Sequence, residues 1–272
     1  MKKIIILFTF VFSLVYCYGQ KTEIIVIGNI HQAVPNYNSD TIVNILNKVQ
    51  PDYLLQELDS SFFTQDFKFK EKASENEGIA SEKYISKNPQ TQMRPFEFEG
   101  RNEYRKINGF NPTEHLAISL LDSLYKKNLL TKQQNKIYKQ YVDVLEPLKK
   151  AASGKPKDFN NSRNDKICEE RQYYQYVKLL KIMGQRAEFS NHFYTKPNGK
   201  KITYEKGFQL ASEFWDLRNQ TMAKNILKIA NENSGKKLVV LTGFMHRYYI
   251  ISELKKLTNN NKNIAIKEFY EE

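Results

Sequence analysis

Two tetrapeptides with the same pattern, Gly28-Asn29-Ile30-His31 and Gly243-Phe244-Met245-His246, stand near opposite ends of the chain. Each follows a run of β-formers, Glu23-Ile24-Ile25-Val26-Ile27 before the first and Lys237-Leu238-Val239-Val240-Leu241-Thr242 before the second. A histidine just past a strand, behind a glycine that lets the chain turn, can be a general base, a metal ligand or an oxyanion partner. In a parallel sheet such strand ends lie side by side, where α/β proteins place their ligands.

Three further positions carry charge towards that rim. Glu57 ends the apolar segment Tyr53-Leu54-Leu55-Gln56-Glu57-Leu58, where a carboxylate is costly unless paired or ligated. Glu97 and Glu99 alternate with Phe96 and Phe98, which predicts two carboxylates on one strand face, able to bind a metal or share a proton. The same spacing fits the wet face of an edge strand, with Arg94, Arg101 and Arg105 close by to neutralise it. Arg218 borders the apolar face formed by Phe214, Leu217, Met222 and Ile226, and an arginine there requires a carboxylate. Glu213 is nearly one and a half helical turns away, so one reading gives Arg218 the strand-end glutamates as partners, and the other is a surface ion pair that would contribute little. His115 and His192 have no partner by spacing and read as ordinary surface or capping residues.

The elements that would position these residues read as an α/β fold. Strands are expected at 22–28, 53–58 and 94–99, with a helix from Asp40 to Val49 capped by Ser39 or Asp40. The first strand, helix and second strand form a β-α-β unit, which implies parallel pairing. Residues 60–90 are polar, read as helix with loops. Helices are expected at 113–128, 132–150, 162–184 and 207–231, then strand 237–242, a helix from Met245 to Leu257, and a last strand at Ile264-Ala265-Ile266. The chain therefore reads as one α/β domain over 20–272. Its parallel-stranded central sheet is built from both ends of the chain, with a large helical insertion over about 113–206.

The first 19 residues read as a signal peptide. Lys2 and Lys3 precede an apolar run from Ile4 to Tyr16, and Cys17-Tyr18-Gly19 offers a cleavage site before Gln20. The run is shorter than the ~20 residues of a membrane span. A lipid anchor at Cys17 is the second reading, although Leu14-Val15-Tyr16 lacks the small residues expected before an acylated cysteine. Either implies a secreted or periplasmic protein of a bacterial envelope. Without Cys17 the chain keeps Cys168 alone, so no internal disulfide forms. The formal charge of +12 comes mostly from scattered lysine, without the arginine-rich stripe and interleaved aromatics of a nucleic-acid surface. The Gly-x-Ser-x-Gly elbow, His-Glu-x-x-His, the P-loop and Cys-x-x-Cys are absent.

The two Gly-x-x-His elements, Pro51-Asp52-Tyr53-Leu54-Leu55-Gln56-Glu57-Leu58, and Arg218-Asn219-x-x-Met222-Ala223-x-x-Ile226 occur in an order that resembles the TraB/TIKI family. That family belongs to the broader superfamily that includes erythromycin esterases and the ChaN haem-binding proteins. The resemblance implies an α/β core with both histidines at one site and a helical insertion. It also implies a metal-dependent hydrolase, since TIKI-type members are proteases that need a divalent ion such as manganese or cobalt. Carried over by position, His31, Glu57, His246 and Arg218 would form the catalytic site. The chain departs from the pattern before the arginine, where Leu217 stands and Asp216 is one residue further back.

The sequence thus sets out three readings. The first is an exported hydrolase of peptide or ester bonds, with His31, Glu57 and His246 binding a divalent ion, Glu97 as an additional ligand, and Arg218 holding a carboxylate or developing negative charge. Without metal, one histidine would act as general base, oriented by Glu57. The second is an envelope protein that binds haem or another small ligand without hydrolysing it. The third, a non-enzymatic surface protein, expects His31 and His246 to lie far apart.

Overall fold

The computed structural model describes residues 20–259 and 261–271. The expected signal segment, including Cys17 and the cleavage site, lies outside them.

The apolar runs at the two ends of the chain become neighbouring central strands. β1 (Thr22–Asn29) and β6 (Lys237–Gly243) pair in parallel over their length, from Glu23 opposite Lys237 to Asn29 opposite Gly243. Both are buried on both faces, which is why they read as near-continuous Ile, Val and Leu. β2 (Tyr53–Gln56) adds to the other side of β6, β3 (Gln92–Pro95) to β2, and β7 (Ile264–Lys267) to β1. The sheet order is β3-β2-β6-β1-β7, all parallel. The hairpin β4 (Phe193–Thr195) and β5 (Lys201–Thr203) is separate.

Alternation along the strands builds two core layers. Ile25, Ile27, Leu54, Val239 and Leu241 face α1 (Ser39–Val49) and α2 (Asn76–Lys87). Ile24, Val26, Leu55, Leu238 and Val240 face the helices that flank β6 in sequence, α10 (Tyr204–Glu232) and α11 (Phe244–Leu257). Between β3 and β6 the chain forms α3 (Arg101–Asn108), α4 (Phe110–Lys126), α5 (Lys132–Ala152), α6 (Pro156–Phe159), α7 (Ser162–Tyr173), α8 (Leu180–Met183), α9 (Ala187–Asn191), the hairpin and α10 (Tyr204–Glu232). Most of this insertion packs on its own apolar cluster around Leu121, Tyr138, Ile182, Phe189 and Phe208. A π-helical turn over Tyr174–Leu179 joins α7 to α8. The expected α/β architecture with a helical insertion is present, and the helical region opens at Arg101 rather than Thr113.

α10 is the spine. Its 29 residues put Phe208 into the insertion core and Met222, Ala223, Ile226 and Ala230 against the sheet. Arg218 lies on that buried face, where the two cores meet.

α11 (Phe244–Leu257) begins directly after β6. Its Arg247 is fully buried, donates from Nε to the carbonyl of Val26 (3.1 Å), and pairs with Asp165 and Glu268. It therefore ties α7 and the C-terminal segment to the underside of β1. Gly28 is needed for close approach: a Cβ there would meet Phe244 Cα at 2.7 Å. The Gly28 peptide is held on both sides by Asn160, which accepts from Gly28 N (2.6 Å) and donates to Gly28 O (3.0 Å).

Two local expectations change. The N-cap of α1 is Asn38, one residue before Ser39, in a capping box with Thr41. The third strand ends at Pro95, so Phe96–Glu99 is not an alternating strand. Phe96 N still donates to the Gln56 carbonyl (3.1 Å), so the ladder runs one bond past Pro95 before the chain leaves the sheet. Phe96 is buried in the core under the sheet, and Glu97 is 1% exposed rather than on a wet face. Glu99 turns away to accept from the Ser60 hydroxyl at 2.8 Å.

Candidate active site at the strand ends

Four elements aim polar side chains, three of them charged, at one point above the C-terminal ends of β2 and β6. Glu57 follows β2, Glu97 follows β3, His246 lies in the first turn of α11, and Arg218 comes from α10. Arg218 donates from Nη2 to Glu57 Oε1 and Glu97 Oε2 (2.5 Å each), and from Nε to Glu97 Oε1 (2.9 Å). Its Nη1 lies 2.8 Å from His246 Nε2. The strand-end glutamates are thus the partners of Arg218, in agreement with the sequence reading.

Each carboxylate is held further. Glu57 Oε2 accepts from the Thr242 hydroxyl (2.6 Å) and from Gly243 N (2.7 Å), so the neighbouring strand fixes its rotamer. Glu97 accepts from Phe98 N (2.8 Å) and Arg101 Nη1 (2.9 Å). Asn225 of α10 clamps the loop that carries it, donating to the carbonyls of Phe96 (3.1 Å) and Glu97 (3.2 Å).

The tautomer of His246 follows from its partners. A guanidinium only donates, so Nε2 must accept and the ring proton sits on Nδ1. Nδ1 then donates to Asn219 Oδ1 at 2.8 Å, and Asn219 is fixed through its own bond to the Trp215 carbonyl (2.7 Å). Trp215 stacks on the imidazole with ring centroids 4.3 Å apart. Burial first, and the Arg218 charge second, push the His246 pKa down to about 3, so the ring is neutral at pH 7. Burial works against the Glu57 carboxylate, but positive charge from His246 and Arg218 and the Thr242 hydrogen bond hold it well below the usual range. Since His246 is neutral at pH 7, Arg218 supplies that charge there.

His31 behaves in the opposite way. It lies in a bend beyond β1, and its side chain is 43% exposed. Asn76, in the first turn of α2, ties this bend down: its N–H donates to the His31 carbonyl (2.9 Å) and its side chain to the Ile30 carbonyl (2.8 Å). Asn76 thereby sets its neighbours Glu75 and Glu77 beside Nδ1 of the imidazole. His31 Nδ1 is hydrogen-bonded to Glu77 and lies 3.5 Å from Glu75 Oε2. The Glu77 bond, opposed by burial, raises the His31 pKa to about 9. Burial raises that of Glu75.

His31, Glu57, Arg218 and His246 all line one cleft of about 700 Å³, so the two motif histidines are not far apart. The expected metal quartet of His31, Glu57, Glu97 and His246 does not assemble. Arg218 lies among its last three members and takes up His246 Nε2 and both carboxylates. Among the described residues, the side chains that converge within metal-binding reach are His31, Glu75 and Glu77. Glu77 Oε2 is buried with no hydrogen-bond partner. Neither histidine is a free general base at neutral pH, because His31 is protonated and both nitrogens of His246 are engaged.

Glu75, Glu77, Thr242, Asn219 and Trp215 were not singled out in the sequence. The Glu-Asn-Glu spacing at a helix start was the available signal for the first two. Cys168 is fully buried and its thiol is pushed up to about 12 by burial, consistent with a structural residue. His115 lies within α4 and His192 follows α9, both outside the cleft.

Two outcomes follow. Arg218→Ala leaves Glu57 buried without its guanidinium and Glu97 with Arg101 alone, and should cost about 3–5 kcal/mol in urea unfolding. His246 binds a proton in the unfolded chain below pH 6.5 but in the folded chain only near pH 3. Stability should therefore fall as pH drops through that window, at up to ~1.4 kcal/mol per pH unit. His246→Gln should flatten this slope in chemical denaturation measured from pH 7 to pH 4.

No family model, curated protein or solved structure matches the chain.

Proposed function

We propose that the chain is an exported metal-dependent hydrolase of peptide or ester bonds, working in the cleft at the ends of β1, β2 and β6. The observation that carries this is the His31–Glu75–Glu77 cluster, in which Glu77 Oε2 is a buried, unpartnered acceptor. An orphaned carboxylate oxygen beside an imidazole is costly unless a cation satisfies it. One imidazole and two carboxylates suit divalent ions of the manganese or cobalt class.

Such an ion would polarise a carbonyl and lower the pKa of a bound water. The chain's own residues do the rest. Glu57, ionised and fixed by Arg218, Thr242 and Gly243, is a rigid acceptor for the proton-bearing side of an attacking water. Arg218 spends four of its five N–H donors on Glu57, Glu97 and His246, so its first role is to position these groups. His246 and Trp215 form the wall behind it.

Metal binding must displace the proton of His31, which makes affinity rise with pH up to about 9. The mature chain stripped with EDTA should gain stability on adding manganese, by about 2.7 kcal/mol at a hundredfold excess over Kd. His31→Ala and Glu77→Gln should abolish that gain. A peptide and ester screen should reveal manganese-dependent hydrolysis that His31→Ala and His246→Ala lower at least ~100-fold. Activity unchanged in both histidine variants would end the reading.

A further inference from the structure

The cleft contains a second arginine whose commitments differ from those of Arg218. Arg101, the first residue of α3, lines the cleft with His31 and Glu57. Its Nη1 is anchored on Glu97 (2.9 Å) and its Nε on the Asn102 side chain (3.2 Å). Its Nη2 makes no protein hydrogen bond among the described residues. Its side chain is 20% exposed, against 10% for Arg218. Glu97 is shared between the two arginines and Glu57 takes up Arg218 as well, so the two guanidinium groups face two carboxylates, and the open Nη2 of Arg101 is the cationic donor left facing the cleft.

Two lysines add to it. Lys70 and Lys72 lie on the exposed segment that forms another part of the cleft lining. Lys70 donates only to the Ser61 carbonyl (2.8 Å), and Lys72 has no ion pair among the described residues. Exposed Glu71 offsets one of these charges. The other lining carboxylates, Glu57, Glu75 and Glu77, are taken up by Arg218 and His31.

We propose that the uncommitted Nη2 of Arg101, in the field of Lys70 and Lys72, binds a carboxylate of the substrate and so selects acyl substrates carrying a free carboxylate near the scissile bond. A guanidinium anchored through Nη1 and Nε, with Nη2 open, is held in place to donate to such a group. The geometry suits the last residues of a peptide better than an internal segment, whose neighbouring amides carry no charge. Arg101 is a specificity-determining residue in this scheme. Selection among scissile substrates rests on the hydrolase reading; the anion site itself does not.

The test uses benzoyl-glycyl-phenylalanine and its C-terminal amide, which differ in one charge. Binding is measured by calorimetry in EDTA, so that no ion can take the carboxylate, and hydrolysis is followed separately with manganese. The mature protein should bind the acid at least ~10-fold more tightly than the amide, with a preference that shrinks as salt rises. Arg101→Met should abolish the preference, while Arg101→Lys, which keeps the charge and loses the fork, should retain part of it. Lys72→Gln, at an exposed position, should weaken acid binding without affecting the fold. No preference for the acid in the wild type, including no binding of either compound, overturns the proposal, as does a preference that survives in Arg101→Met. Selective acid binding without hydrolysis in manganese would leave the anion site standing and remove the hydrolase reading.

Discussion

The buried guanidinium of Arg218 is the interaction on which the site depends. It is a cation that cannot lose its proton, placed where the sheet core meets the insertion core. Its desolvation is offset only because Glu57 and Glu97 reach it from two different strand ends and His246 presents a lone pair. That single group fixes the end of β2, the loop after β3, the first turn of α11 and the middle of α10. It also sets two chemical states, an ionised Glu57 and a neutral His246 with its proton on Nδ1.

The two Gly-x-x-His elements show how little a tetrapeptide decides alone. Their strands are adjacent, but Asn29 rather than Gly28 stands opposite Gly243, a one-residue offset. Gly243 ends β6 and leads straight into a helix, so His246 is turned into the interior beneath Trp215. Gly28 lies inside β1, and His31 emerges into a bend that α2 captures through Asn76. Identical spacing therefore yields one buried neutral imidazole and one half-exposed imidazole paired with carboxylates. In the proposed reading the first organises the wall and the second carries the ion.

Hydrophobic patterning made the sheet legible, because doubly buried parallel strands leave unbroken runs such as Ile24–Ile27 and Leu238–Leu241. Arg218 was legible as well, since an arginine on an apolar helical stripe must find an acid and its own helix offered none in reach. Glu97 was found as a candidate for the wrong reason. Its alternation with phenylalanine suggested a strand, whereas β3 ends just before it and a loop clamped by Asn225 delivers it to Arg218. Glu75 and Glu77 were missed because they belong to a polar stretch without hydrophobic period. Their position is set by the hydrogen bonds of Asn76 to the backbone after β1, a contact between segments remote in sequence. No local pattern encodes it.

The central claim is that a divalent ion belongs beside His31 and not in the basin occupied by Arg218. Anomalous diffraction from crystals of the mature protein soaked in manganese tests this directly. The account predicts one strong peak bonded to His31, Glu75 and Glu77, with the Arg218–Glu57–Glu97 contacts intact. No bound ion, or a peak bonded to His246 and Glu97 with Arg218 displaced, would contradict it.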